Sequence, residues 1–327
     1  MKLQHVLLLA AWSVMILPVL GSEWNVEGDH PVIGAHYMPW FANPHTAGEG
    51  DDTKAWKHWN WKGPGVDKNP ETRSADGRRD IAAVHYPLIG PYHSLDREVI
   101  SYHMKTAKAV GIQAFFIIWY GPDTYSDKVI PLLLDQAYRE GLKIALCYEE
   151  KVNWPPYRSP ATRQDLVASS SSDLAWIVGR FGYHPAYLRR DGKPFVFMFN
   201  HYGDDTLGSS NITPEEWESI LSGLPRPIAF SRQNRNDEYH PPVNGRYLWW
   251  AKDAAVIKDF SHSSRQLIDA KKMDFFMSMI TPGFDDSGVN GWGNGTRLTD
   301  GKGLSMFRGT FDLAWRGDPE LIQLVTW

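Results

Sequence analysis

Short apolar runs recur along this chain, separated by longer amphipathic or polar stretches, and eight such runs can be counted. They are Val32–Pro39, Gln113–Tyr120, Lys143–Glu150, Pro194–Tyr202, Pro227–Arg232, Arg246–Trp250, Asp274–Thr281 and Glu320–Trp327. A run that is apolar at nearly every position cannot leave one face in water. It suits a parallel strand buried on both sides. Helix signals lie between the runs. Asp96 can cap a helix that runs to about Val110 before Gly111. Ser126–Glu140 places Val129, Leu132, Leu133 and Ala137 on one face, and Gly141 follows. Thr213-Pro-Glu-Glu216 combines a cap, a proline at the first helical position and a capping-box glutamate. Ala254–Lys272 and Gly303–Trp315 also read as helices, whereas Gln233–Asn244 reads as irregular.

This alternation predicts an α/β chain, and eight runs in series predict a (β/α)8 barrel rather than an open doubly wound sheet. No glycine-rich phosphate loop follows any run, which argues against a nucleotide site. The eighth run is also the last. The expectation is therefore a barrel over residues 23–327 that reaches strand eight without its final helix.

The N-terminus reads as a signal peptide over residues 1–22: Lys2, an apolar run from Val6 to Leu20, then small Gly21 and Ser22. The run is short for a membrane span, so a secreted, periplasmic or extracellular protein without a stable span is expected. A net charge of -4 provides no basic surface for nucleic acid. The single cysteine, Cys147, cannot form an internal disulfide and sits in an apolar run, as a small core residue would. Twelve histidines form no His-x-His or His-Glu-x-x-His pair, so neither metal nor cofactor is expected. Asn211-Ile-Thr213 and Asn294-Gly-Thr296 have the form of glycosylation sequons.

Two long insertions interrupt the pattern. Trp40–Ser94 follows strand one and holds Trp56, Trp59 and Trp61, too aromatic for simple disorder; Gly283–Gly303 follows strand seven. The strand ends themselves are polar and aromatic. They supply His36, Tyr37, Trp119, Tyr120, Tyr148, Asn200, Tyr202, Arg232, Trp249 and Trp250 as candidate ligands. A barrel gathers such ends on one face, where rings stack on sugar CH faces and polar groups hold hydroxyls. The composition includes 15 Trp, 14 Tyr and 14 Phe, which serves either a packed core or such a site. Glu149 and Asp285 are the candidate catalytic carboxylates. Neighbours on a strand face opposite ways, so only one of Glu149 and Glu150 enters the mouth, and an internal salt bridge is the alternative role. Asp285 has the alternative role of a turn former. Glycoside cleavage needs two flanking carboxyl groups, and these residues do not by themselves make a pair.

The segments Ala35–Phe41, Tyr86-Pro-Leu-Ile-Gly-Pro-Tyr92 with Ser94 and Asp96, Ile118–Gly121, Tyr148–Glu150 and Leu324–Trp327 resemble the glycoside hydrolase family 71/99-like group. The likeness runs from about residue 31 onward. It implies a (β/α)8 barrel acting on α-linked glycans, as the endo-α-mannosidases and α-1,3-glucanases of that group do. It implies that Tyr37, Trp119, Tyr120, Glu149, Asn200 and Tyr202 line sugar subsites. In the family, an Asn, an acidic residue, two further residues and a Glu follow the Thr-Trp of strand eight. The acidic residue and that Glu are the catalytic carboxylates, so the expected pair lies past Trp327. One branch retains and the other is thought to invert, and both stay open here. The resemblance thus implies a secreted hydrolase of α-mannan or α-glucan type. The alternative is a carbohydrate-binding barrel that lacks catalysis.

Overall fold

The structure, a computed structural model, describes residues 31–46, 54–153, 158–160, 162–200, 212–233 and 237–325. Eight parallel strands form its centre: β1 (Val32–Tyr37), β2 (Ala114–Trp119), β3 (Lys143–Glu149), β4 (Lys193–Phe199), β5 (Ala229–Gln233), β6 (Gly245–Tyr247), β7 (Phe275–Ile280) and β8 (Leu321–Leu324). Each pairs with the next, and β8 returns to β1 through Val32↔Leu321 and Gly34↔Gln323. The sheet is closed, so it has no edge strand for another chain to pair with. All eight sequence-predicted strands are present, and the (β/α)8 expectation holds.

Among the described residues six α-helices cover the outside: α1 (Arg97–Ala109), α2 (Tyr125–Glu140), α3 (Arg163–Arg180), α4 (Pro214–Ser222), α5 (Ala254–Asp269) and α6 (Ser305–Arg316). The Asp96 carboxylate accepts Glu98 N at 2.8 Å and starts α1 as expected. Thr213 and Glu216 close the predicted capping box on α4. Helix α2 starts one residue before the expected Ser126, with Thr124 as its cap, and Gly141 ends it at φ 74°, where a side chain would be strained. Helix α3 carries no obvious sequence signal because Ser169–Ser172 interrupts its apolar pattern, and serine competes locally for backbone bonds. Its start is nonetheless specified by a Thr162–Asp165 capping box. Between β5 and β6 the described residues hold a 3-10 turn, Asp237–Tyr239, in place of a helix.

Strand alternation divides the core in two. Inside the barrel lie Phe116, Phe195, Phe197, Tyr247, Phe275 and Met277, with Cys147 among them. Outside, Ile117, Leu146, Val196 and Phe230 pack under α1–α4, while Phe276 and Ile322 pack under α5 and α6. Gly34 faces inward where a Cβ would collide with the Phe116 ring. A Gly34→Val change should therefore cost about 1–3 kcal/mol by overpacking, read as a lower denaturant midpoint with an unchanged slope.

Burial also gives the fold a pH dependence. Desolvation lowers His103 and His240 to about 4, from 6.5 for a free histidine. Between those values the unfolded chain takes up protons that the folded chain does not. Their contribution is thus fully present above pH 6.5 and is lost as pH falls towards 4. Chemical denaturation at pH 7 and pH 5 should show lower stability at pH 5, and His240→Gln should shrink the difference.

Candidate active site at the barrel mouth

The mouth is the face where the strands end, and parity decides which side chains reach it. On β1, Val32, Gly34 and His36 point inward. The His36 imidazole lies edge-on to Trp249 at 4.4 Å and 6.0 Å from the Phe197 ring across the barrel. Both its ring nitrogens are buried without a hydrogen-bond partner among the described residues. Desolvation lowers it to about 3, so it is neutral at ordinary pH. On β3, Ala145, Cys147 and Glu149 point inward. Glu149 is 4% exposed. Burial, with the Glu149 charge adding to it, pushes the Cys147 thiol well above its usual range, so Cys147 is no thiolate nucleophile. Register places Glu149, Phe199 and Gln233 in one row on adjacent strands. Phe199 meets Trp249 edge-on at 5.2 Å. Tyr120 continues the lining beyond β2, its ring 6.2 Å from Trp40. His36, Tyr120, Glu149 and Trp249 are the sequence-predicted residues that the fold brings together at the mouth.

The others lie elsewhere. Tyr37 points outward, where its hydroxyl meets His103 Nδ1 of α1 at 3.1 Å and its ring stacks on Phe115 at 5.0 Å. Trp119 is fully buried in the helix layer and donates to Asp127 Oδ1 at 2.8 Å. Tyr148 donates to Ser170 Oγ at 3.2 Å and accepts from Asn153 Nδ2 at 2.8 Å. These three were expected to bind sugar, but alternation sends them to the helices, where their polar tips are already bonded. Asn200 ties β4 to β5 by donating to the Gln233 carbonyl. Arg232 lies buried with its guanidinium 3.8 Å above the Tyr239 ring. Trp250 is 37% exposed. Glu150 is fully buried and accepts Ile212 N at 3.4 Å. Tyr202 and Trp327 lie outside the described residues.

Asp285 belongs to a small hairpin, Phe284–Asp285 with Leu298–Thr299, and its Oδ1 accepts Ser287 N at 2.9 Å. It has the turn-forming contact that its position before Gly288 suggested. The adjacent Asp286 is the structural acid of this loop, accepting Arg297 Nε at 2.9 Å. The two insertions meet one another. Asn290 Nδ2 donates to Pro64 O at 2.7 Å, and the Gly288 backbone runs so close to Ala82 O that a Cβ would collide. In the first insertion Trp59 stacks on Phe41 at 4.1 Å and donates to Tyr92 O at 2.7 Å, and Trp40 stacks on His58 at 4.5 Å. The described part of that insertion is thus a packed aromatic wall that reaches the mouth through Trp40 and Tyr120.

Sequence reasoning missed Phe199, Gln233 and Gln323 as inward residues. Gln323 is fully buried inside the barrel and donates to Leu248 O at 2.7 Å, while its Oε1 is buried without a partner among the described residues. A lone glutamine in the middle of an otherwise apolar run was the available signal, since burying an amide is costly without a reason. Among the described residues no group of His, Cys, Asp and Glu could hold a metal ion.

The described residues form a closed parallel (β/α)8 barrel whose mouth includes a buried carboxylate, a neutral imidazole, amides and rings. The profile described as glycosyl hydrolase family 99 matches residues 29–327, and the chain belongs to that family. It is 26% identical over 308 residues to the mouse Glycoprotein endo-alpha-1,2-mannosidase, covering 86% of this chain and 63% of that protein. It is 23% identical over 293 residues to the human Glycoprotein endo-alpha-1,2-mannosidase-like protein, covering 80% of this chain and 58% of that one. The chain thus spans less than two thirds of the length of these relatives. The GH99 endo-alpha-mannosidase from Bacteroides thetaiotaomicron has the same fold, with a TM-score of 0.68 at 22% identity, over 90% of this chain and 84% of that one.

Two variants separate mouth from helix layer. Tyr37→Phe removes one bond to α1 and should cost about 1 kcal/mol of stability. Gly288→Ala should drive the two insertions apart, seen as faster proteolysis within 54–94 and 283–303 under native conditions.

Proposed function

We propose that this chain binds an α-linked oligosaccharide, of the mannan or glucan type, at the barrel mouth, and that it serves glycoside hydrolysis. The observation that carries the reading is the mouth itself: a buried inward carboxylate, Glu149, framed by His36, Tyr120 and Trp249, in a chain whose family match runs along 29–327. A neutral polyhydroxylated ring needs CH–π contact and hydrogen bonds that do not require an opposite charge, and this set supplies both. Glu149 accepts sugar hydroxyls. His36 offers one donor and one acceptor while staying neutral. The resemblance assigns the acid and base to residues after Thr326-Trp327, so Glu149 is assigned here to substrate binding. Asp285, occupied at its turn, is not carried into the mechanism.

Two relatives are named as acting on α-1,2-linked mannose, so α-linked manno-oligosaccharides are the first ligands to test, with α-linked gluco-oligosaccharides beside them. Glu149→Gln should weaken binding about tenfold or more, as loss of a charged hydrogen bond worth roughly 1.5–3 kcal/mol requires. Tyr37→Phe should leave binding unchanged. Binding of every oligosaccharide that is indifferent to Glu149→Gln, His36→Phe and Trp249→Ala would remove the mouth as the site.

A second reading, binding without cleavage, has its own support. The buried inward carboxylate of Glu149, with the rings of Tyr120 and Trp249, is by itself enough to hold a sugar ring. Release of new reducing ends separates the two readings. The apolar run Val6–Leu20 further supports export with removal of the leader. N-terminal sequencing of protein recovered from the medium or periplasm should then begin near residue 23, and an intact Met1 there would count against it.

A further inference from the structure

We propose a second carbohydrate site on the outer face of α3, separate from the mouth and resting in part on the glycan reading above. A cavity of about 370 Å³ lies there, lined by Pro122, Arg158, Ser169, Ser172, Asp173 and Trp176. That size falls within the range of small-ligand pockets. Asp165, Ser169, Ser172 and Trp176 follow each other at helical spacing on one face of α3, so their side chains line up along the groove. The serines that hide this helix in the sequence are small, and they leave the groove open.

Its walls are held in place. Arg158 grips Asp173 with both arms, Nη1 to Oδ2 at 2.7 Å and Nη2 to Oδ1 at 2.8 Å. Trp176 is half-buried, and its Nε1 donates to Asp127 Oδ1 at 3.2 Å, which fixes the plane of the indole. The carboxylate of Asp127 also receives Trp119 from β2, so the platform is anchored to the barrel wall. An oriented indole beside serine hydroxyls and an ion pair is chemistry for a neutral sugar. Arg180 lies over one side of the indole at 5.3 Å, so the sugar ring lies against the groove side. Ser172 donates to Ala168 O at 2.9 Å and so accepts from a sugar hydroxyl, and the Arg158–Asp173 pair offers donors and acceptors without net charge. A free anion is disfavoured because Asp165 and Asp173 both lie in the lining. The groove borders the β2–α2 and β3–α3 loops, on the same end of the barrel as the mouth.

The test is calorimetry of the full chain with α-linked mannotetraose. Wild type should show two binding events per chain. Ser172→Trp, at an exposed position, fills the groove and should leave one event; Glu149→Gln should remove or weaken the other. If Ser172→Trp does not fold, Ser169→Arg blocks the same groove and is used in its place. A single wild-type event lost only in Ser172→Trp keeps the groove and removes the mouth reading. Wild-type binding that neither groove variant changes, or no binding at all, overturns the inference.

Discussion

A closed parallel barrel leaves each strand residue two destinations, the interior or the helix layer, and the choice alternates along the strand. This two-way division governs nearly everything else in the molecule. It sends Phe116, Phe197 and Tyr247 into a ring-filled interior, and Ile117, Leu146 and Val196 under the helices. At the strand ends it decides which polar groups meet a ligand. His36 and Tyr37 are neighbours in sequence, yet one faces Trp249 across the mouth and the other bonds α1.

The interior is packed solid, so the mouth rather than a central channel is where a ligand fits. The floor is aromatic, and its polar groups are few and tightly placed. The His36 imidazole is buried with no partner among the described residues, which carries a desolvation cost. The two insertions build the rim above it, tied to each other by Asn290 and by a backbone contact that only Gly288 permits. The aromatic residues divide between the core and the mouth. Trp59 and Trp119 are buried structural residues with bonded indole nitrogens, while Trp249 and Tyr120 line the mouth.

Much of the fold was legible in the residues. Continuous apolar runs identified the eight strands, and Asp96, Thr213 and Gly141 marked helix ends with chemistry that the structure retains. Helix α3 was not legible, because its serine run breaks the apolar period that marks a helix. The candidate site was half legible. Residue type at strand ends pointed to the mouth, but Trp119 and Tyr148 were candidates by type, and Trp119 also by the resemblance, without regard to which face they take. Their partners, Asp127 and Ser170, stand 8 and 22 residues away on helices.

The sequence by itself determined the strand count, the α/β class and the family likeness, because local hydrophobicity and short motifs are properties of consecutive residues. Only the tertiary structure decided which face each strand turns inward, since a shift of one residue exchanges the two sets and register is set by neighbouring strands. It also decided that the two insertions pack on one another, and that a serine-lined groove opens beside Trp176. Those outcomes depend on contacts between segments distant along the chain, as between Asn290 and Pro64, which no local pattern encodes.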